Sequence, residues 1–461
     1  MGCIKMGPDF QTPQLGIHKP ETYQYADSGE KPSQTEGAWW HVFNNTQITQ
    51  LANDVIKYNL DIRKAAARVL EVQSQLVGTR ADRFPSLGFN AEAKKQKRPI
   101  IGIIPGDSFT VRSESHTLSF PASFELDLWG RLARAEEAAR ADLLQAEENH
   151  LTIVHSVVAE AVALYLQMES YERRIQITED TIENFQRNLA LVKSRYERGL
   201  SSILDLKQAS RILSQAETAL PPLRQELGIT QQNMAVLMGT YPKTRPPRTQ
   251  PEDYFKHLDP VPPGLTSELL LTRPDIKAAE AGLKSLNARV GVAKARRFPR
   301  ITLTGSFGYT SADLNRLLNR ESELWSLAAG VTQPLFDAGK LKAGQKAAEA
   351  RYQQGLAEYA KIVLTAFSEV ERALLTRQEQ LERRDSVLNF LAQARAVQNI
   401  AEARYVRGLT DYLTVLDSQQ TRFQAEQDLV TVDLVLLTNR VSLHRALATG
   451  WTDMNTASYT P

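Results

Sequence analysis

Two kinds of hydrophobic periodicity alternate along this chain, and the alternation happens twice. From Thr46 to about Ala81 apolar residues recur at helical spacing through Ile48, Leu51, Val55, Leu60, Ala66, Val69 and Leu76. At Phe84 the period drops to two, with Leu87, Phe89, Ala91 and Ala93 on one side and Ser86, Asn90 and Glu92 on the other. After a loop around Gly102 to Ser115, Leu118, Phe120, Ala122, Phe124, Leu126 and Leu128 alternate with Thr117, Ser119, Ser123, Glu125 and Asp127. The pattern predicts a hairpin of two-faced strands of about ten residues each, one face apolar and the other able to meet water. A proline-free helical stretch follows from 131 to 198. At ~1.5 Å per residue it would be on the order of 100 Å long, well beyond an ordinary globular helix.

The second round restarts after a proline-rich segment. Leu60-Asp61-Ile62 returns as Pro274-Asp275-Ile276 and Arg83-Phe84-Pro85 as Arg297-Phe298-Pro299, both at an offset of 214. Past the strands the offset is 209, with Gly130-Arg131-Leu132 matching Gly339-Lys340-Leu341, so the second strand hairpin is five residues shorter. Its strands place Ile301, Leu303, Phe307 and Tyr309 opposite Thr302, Thr304, Ser306 and Thr310, then Trp325, Leu327, Ala329, Val331 and Leu335 opposite Ser326 and Thr332. In the second long helix, Leu356, Ala360, Val363, Phe367, Val370, Leu374, Leu381 and Leu388 keep threes, fours and sevens, which implies left-handed coiled-coil packing. Arg195-Tyr196-Glu197-Arg198-Gly199-Leu200 returns as Arg404-Tyr405-Val406-Arg407-Gly408-Leu409 at the ends of the two long helices. Each copy supplies a left-handed Gly cap, basic residues in the last turn, and Ser201 or Thr410 as the expected N-cap of the returning helix.

The predicted organisation is an extended arm over 1–45, a first repeat over 46–239, a linker over 240–267, a second repeat over 268–450 and a tail over 451–461. The first repeat holds a strand hairpin at about 84–128, a helix over 131–198 and a helix over 203–239; the second holds them at about 298–336, 339–407 and 411–448. Pro221-Pro222 removes two adjacent amide donors and is expected to kink or break the first returning helix.

No run approaches the roughly 18 to 20 apolar residues of a membrane-spanning helix, so any crossing is assigned to strands. Four two-faced strands cannot close a barrel, and open sheet edges are not tolerated in lipid. Membrane barrels begin at about eight strands and larger ones enclose water, so three copies would give a twelve-stranded barrel with a polar lumen. The fold class is therefore an α+β membrane protein with an internally duplicated protomer, its helices continuing the barrel as a coiled-coil tunnel. A soluble coiled-coil scaffold carrying a small sandwich is the alternative from another class.

A net charge of +2 gives no bulk argument for nucleic acid. Walker, zinc-protease, nucleophile-elbow and dinucleotide motifs are absent, and His150 and His155 are five apart, the wrong spacing for shared metal ligation. The expectation is a protein that is not an enzyme and has no cofactor or metal. Cys3, the single cysteine, reads either as an incidental terminal thiol or as a lipid-accepting cysteine following the end of a signal peptide. The apolar run Ile100-Ile101-Gly102-Ile103-Ile104 is unusual for an external loop.

Several motifs in order carry a resemblance over essentially the whole chain: Cys3 with Gly7-Pro8-Asp9-Phe10, Leu271-Thr272-Arg273-Pro274-Asp275-Ile276 with Ala279-Glu280, Gln333-Pro334-Leu335-Phe336-Asp337-Ala338-Gly339, and the two Arg-Tyr-x-Arg-Gly-Leu turns. The chain resembles the TolC-like outer-membrane efflux family, in its lipoprotein branch (OprM and NodT type). The resemblance implies a homotrimer in the Gram-negative outer membrane, a periplasmic tunnel, and docking to a periplasmic membrane-fusion adaptor and an inner-membrane pump of the resistance-nodulation-division class. It implies a covalent lipid on Cys3 in the mature protein and a passive exit duct gated at the hairpin tips. A channel for type I protein secretion is the alternative within transport. By motif, Asp417 matches a lumen-facing carboxylate and Leu413 an apolar ring one turn earlier. Asp205 and Tyr405 match a pair that ties neighbouring hairpins when closed, and Arg198, Gly199, Leu200, Arg407, Gly408 and Leu409 form the adaptor-contacting tips. Thr410 and Thr414 stand where the best-known member has an arginine and a second aspartate, so the closing network here is smaller or differently built.

Overall fold

The computed structural model describes residues 5–14, 16, 22–25, 38–101, 108–244 and 273–448. Cys3, Gly102, Ile103 and Ile104, Leu271 and Thr272, most of the linker and the tail over 451–461 lie outside them. Helices are α1 (Thr46–Tyr58), α2 (Leu60–Ala81), α3 (Arg131–Glu197), α4 (Ile203–Leu237), α5 (Pro274–Ala295), α6 (Lys340–Val406) and α7 (Tyr412–Leu447). Strands are β1 (Ser86–Leu87), β2 (Asn90–Ile101), β3 (Ser108–Leu126), β4 (Arg300–Ser311) and β5 (Glu323–Thr332). Two compact units are formed.

The first unit comprises Met1–Leu15, Arg68–Glu147 and Ala278–Ala360 and contains the sheet. β1 and β2 both pair with β3 in one unbroken register, Ser86 opposite Ser123 and Asn90 opposite Ser119. The interruption at Gly88-Phe89 faces Pro121, which has no N–H to give, so only the Gly88 N–H to Pro121 carbonyl bond survives, at 2.8 Å. The result is a four-stranded antiparallel meander, β1/β2 to β3 to β4 to β5. Its register stacks Phe89, Phe120, Phe307 and Trp325 in one row across all four strands, with the Phe89 and Phe120 rings 5.4 Å apart. Leu87, Ala122, Gly305 and Leu327 form the next row on that face, while Ser123, Thr304 and Ser86 lie on the other. The apolar face is left open: Trp325 is 73% exposed and Leu327 79%.

β2 and β3 run further than the alternation predicts. The expected loop over 102–115 is strand from Ser108 onward, and Lys94–Arg98, polar on both faces, are also strand. Alternation cannot reveal a ribbon with no apolar face.

In this unit Arg134, 1% exposed, holds the N-terminal arm. It donates to the carbonyls of Met6 and Gly7, both at 3.1 Å, and pairs with Asp9 and Glu137, both at 2.9 Å. Met6 N–H reaches the Trp129 carbonyl at 3.2 Å, just past the end of β3.

The second unit comprises Gly16–Ala67, Glu148–Lys277 and Lys361–Pro461. A core of Trp39, Phe43, Ile48, Val55, Val158, Val162, Leu166, Met234, Leu437 and Val441 joins a short 3-10 helix (Trp39–Phe43) to α1, α3, α4 and α7. By length and composition α3 passes as a membrane-crossing helix, contrary to the reading that no such run exists; half of that stretch is buried in the protein, and Val154, Val157, Ala161 and Leu166 of α3 belong to the core.

The helical pattern from Thr46 to Ala81 is two helices. Asn59 adopts an extended conformation, φ −63° and ψ 133°, and its side chain accepts from the amides of Asp61 and Ile62, capping α2. α4, in contrast, is not broken at Pro221-Pro222 but stays helical from Ile203 to Leu237. Leu223 and Leu227, just beyond the prolines, bury against Ile175 of α3, and this packing holds the turn.

Duplication reaches individual contacts. Asn59 Nδ2 donates to the Leu237 carbonyl at 2.8 Å; Arg273, 214 positions after Asn59, donates to the carbonyl of Ala446, 209 after Leu237, at 2.9 Å. Arg83 pairs with Glu136, and their counterparts Arg297 and Gln345 bond at 2.8 Å. The first is an ion pair; the second keeps the geometry with one charge removed.

Arg273 also binds Asp275 and Glu369, and His155 lies against this cluster. Burial, opposed by Asp275 and reinforced by Arg273, lowers His155 to about 4; burial, with Arg440 nearby, lowers His444, stacked on Trp39, to about 3. Both imidazoles are neutral when folded, whereas an unfolded chain protonates them near ~6.5. The unfolded state binds more protons from about 6.5 down to about 4 for His155 and about 3 for His444, so this stabilisation is complete above about 6.5 and is lost as pH falls through those ranges. The melting temperature should drop on acidification below about pH 6.5, with a shallower slope in His155→Gln; a slope the variant leaves unchanged would disprove the role of this histidine.

Candidate functional site

The two hairpin tips are built by the same backbone device. Gly199 (φ 71°) and Gly408 (φ 73°) take the left-handed conformation that glycine adopts without strain. The amides of Leu200 and Gly199 reach the carbonyls of Arg195 and Tyr196 at 2.8 and 2.9 Å, and those of Leu409 and Gly408 reach Arg404 and Tyr405, both at 2.9 Å. Each is a Schellman closure of a long helix. The returning helices are capped one residue later than Ser201 and Thr410: Ser202 forms a capping box with Asp205, and Asp411 accepts from the Thr414 amide at 2.9 Å. Each cap falls one position beyond the residue that directly follows the repeated phrase.

Beneath the tips, Phe185, Val192, Ala209, Ile212, Ala216, Ala401, Tyr405, Tyr412, Val415 and Leu416 form one core shared by all four tip helices. The two copies are used differently. Tyr405 is 8% exposed, whereas its counterpart Tyr196 is 40% exposed. The Arg195 guanidinium lies over the Tyr405 ring at 5.0 Å and donates to the Val406 carbonyl at 3.4 Å, so α3 of the first hairpin grips α6 of the second. Tyr405 and Tyr412 pack with centroids 5.2 Å apart. Burial first, then the neighbouring Tyr405 and Asp205, raises the Tyr412 hydroxyl well above the usual tyrosine range. Arg195 and Tyr412 are absent from the residues selected by motif. The repeated Arg-Tyr pair is visible in the sequence, but only the fold shows that one arginine reaches across to the other copy's tyrosine.

Asp205 spends its carboxylate within its own turn, accepting from Ser201 Oγ at 2.9 Å and the Ser202 amide at 3.1 Å. Among the described residues it makes no hydrogen bond to Tyr405, whose buried hydroxyl has no hydrogen-bond partner there. Leu413, 55% exposed, and Asp417 occupy the outer face of α7, one turn apart, while Val415 and Leu416 between them face the core. Arg198, Gly199, Leu200, Arg407, Gly408 and Leu409 are exposed at the tips.

Alongside and beyond this core, α6 and α7 are laced by polar contacts. Glu402 accepts from Gln398 and Gln419 at 2.7 and 2.8 Å, and Glu426 accepts from Arg395 and Arg422, both at 3.0 Å. α7 reaches α3 where Arg174 donates to Gln427 at 2.8 Å. Among the described residues no cluster of His, Cys, Asp and Glu has metal-binding geometry.

The family model described as outer membrane efflux protein matches residues 51–240 and 265–449. The cation efflux system protein CusC of Escherichia coli is 31% identical over 97% of this chain and 96% of its own length. The toluene efflux pump outer membrane protein TtgI of Pseudomonas putida is 31% identical over 98% of this chain and 96% of its own. The solved outer-membrane channel OprN superposes with a TM-score of 0.88 at 29% identity, covering 97% of this chain and 99% of that one. A crystal structure of CusC gives 0.85 at 29% identity over 96% and 99%. The whole fold thus superposes on solved outer-membrane channels, and the chain belongs to the outer membrane efflux protein family.

Proposed function

We propose that this protein is the exit duct of a tripartite efflux system, a homotrimer whose twelve strands cross the outer membrane and whose helices receive cargo from a periplasmic adaptor and an inner-membrane pump of the resistance-nodulation-division class. The observation that carries the reading is the open sheet: four strands with an exposed apolar face and two unpaired edges, β1/β2 and β5, cannot persist in lipid alone. Three copies supply the twelve strands that enclose water. Relatives of equal identity are named for cations and for toluene, which supports a common duct whose selectivity resides in the pump.

The gate is assigned to Leu413 and Asp417. Both are exposed on the face of α7 turned away from the tip core, where three copies would form an apolar ring and a negative ring across the lumen. Asp205 and Tyr405 are proposed as closed-state residues acting between hairpins, and the exposed tips as the adaptor contact. A lipid is proposed on Cys3: two Cα-to-Cα steps, at most ~7 Å, separate it from Lys5, whose Cα lies where a side chain at Gly130, four residues past β3, would begin.

Leu413→Ala combined with Asp417→Ala should raise single-channel conductance in planar bilayers, and unchanged conductance would sink the gate assignment. Arg195→Ala should speed chymotryptic cleavage after Tyr405 and Leu409 by roughly 2- to 30-fold, the equivalent of a cation–π contact of about 0.5 to 2 kcal/mol; cleavage at the parental rate would show that Arg195 does not lock the tips. Cys3→Ser should abolish incorporation of labelled palmitate while leaving heat-dissociable trimers, because barrel and tunnel burial do not depend on the anchor. Loss of trimers in that variant would refute the separation.

A further inference from the structure

β2 and β3 outrun the rest of the sheet. β3 pairs with β4 only from His116 to Leu126, whereas its pairing with β2 continues to Ile101 opposite Ser108. The paired segments beyond His116 therefore stand as a two-stranded ribbon at the end of the sheet away from the helices. An isolated ribbon of this kind is marginally stable without a partner.

The ribbon is strongly basic. Lys94, Lys95, Lys97, Arg98 and Arg112 outnumber the acidic residues beside them: among the described residues of the ribbon beyond His116 the acidic side chain is Glu114, with Glu92 just before it on the face of Lys94. Glu114 sits opposite Lys95 and pairs with it at 2.8 Å. Lys97 sits directly opposite Arg112, a like-charge cross-strand pair of the kind that destabilises a ladder. Neither has an acidic partner among the described residues.

Strand parity fixes which face these cations occupy. Lys95 and Lys97 follow Leu87, Phe89 and Ala91 on one side of β1/β2, and Arg112 and Glu114 precede Leu118 and Phe120 on the same side of β3. The face that is apolar in the four-stranded region turns cationic four to six residues beyond Leu118, about 13 to 20 Å along the strand. The side chains at this level are exposed, Lys95 at 78%. A bilayer changes from hydrocarbon to phosphate at such a boundary.

We propose that Lys97 and Arg112, assisted by Lys95, form a binding site for the phosphate groups of the outer-leaflet glycolipid, lipid A. A phosphate between Lys97 and Arg112 turns a repulsive pair into a bridged one, the guanidinium offering a two-pronged contact and the ammonium a point charge. Lys94 and Arg98 lie on the opposite face, toward the mouth, and take no part. The inference rests on the outer-membrane orientation proposed above.

The test is retention of lipid A by the purified channel in detergent, read by native mass spectrometry. Lys97→Gln with Arg112→Gln should weaken retention at least tenfold; Lys94→Gln with Arg98→Gln should change it less than twofold; and the charge-preserving Lys97→Arg should keep it. Lipid A stripped of phosphate should bind the parent as poorly as intact lipid A binds the Lys97/Arg112 variant. Equal retention by that variant, or equal binding of the stripped lipid, overturns the site. Displacement of lipid A by equimolar inorganic phosphate would make it a free-anion site and overturn the lipid assignment. Bilayer conductance measured on the same samples reports the channel itself, so failure of the duct and failure of the lipid site are read separately.

Discussion

A β-sheet with free edges cannot remain open in hydrocarbon, where every unpaired N–H and C=O goes unsatisfied. That constraint organises the whole molecule. The protomer contributes four strands, too few to close on themselves, with one apolar face and one polar face. Closure must come from further copies, and a barrel of such copies has a lumen by virtue of its size. α3 and α6 start from the strand ends away from the basic ribbon. At their far ends a tip core of Val192, Ile212, Tyr405 and Val415 packs the two hairpins of one protomer into a single body.

The duplication is more informative as physics than as sequence. Where the same backbone demand recurs, the same contact recurs with altered chemistry: Asn59 and Arg273 both tie a helix start to the end of a returning helix, one through an amide and the other through a guanidinium. Arg83 holds a carboxylate and Arg297 an amide at the equivalent place. Geometry persisted where charge did not. At the tips the reverse holds, because the repeated Arg-Tyr pair keeps its residues while Tyr405 is buried and Tyr196 exposed.

Much of this was legible in the sequence, for identifiable reasons. Strands with one buried or lipid-facing side alternate, and Phe120, Phe307 and Trp325 announced theirs; helices that pack along one seam keep a heptad. The ribbon from Lys94 to Arg98 was not legible, since a strand with two polar faces has no period to detect. Asn59 hid a helix boundary inside a continuous apolar pattern because its side chain supplies the cap that the pattern does not encode. Pro221-Pro222 read as a break because local donors were counted and the long-range packing of Leu223 and Leu227 was not. The candidate gate was legible only as position: motif placed Leu413 and Asp417, while the Arg195 to Tyr405 grip exists only across the fold.

That one-sided grip has a consequence for how such a ring would move. If both copies of the repeated phrase were locked, a trimeric ring would carry six equivalent latches; with Tyr405 gripped and Tyr196 exposed, it would carry three. A contact worth about 1 kcal/mol shifts one tip's equilibrium only several-fold, since each ~1.4 kcal/mol is a factor of ten. Three such contacts released together amount to about 3 kcal/mol, or a population change of roughly 150-fold. Weak individual latches thus become a sharp switch when the opening is concerted, and a docking partner that relieves all three at once would need only modest affinity for each.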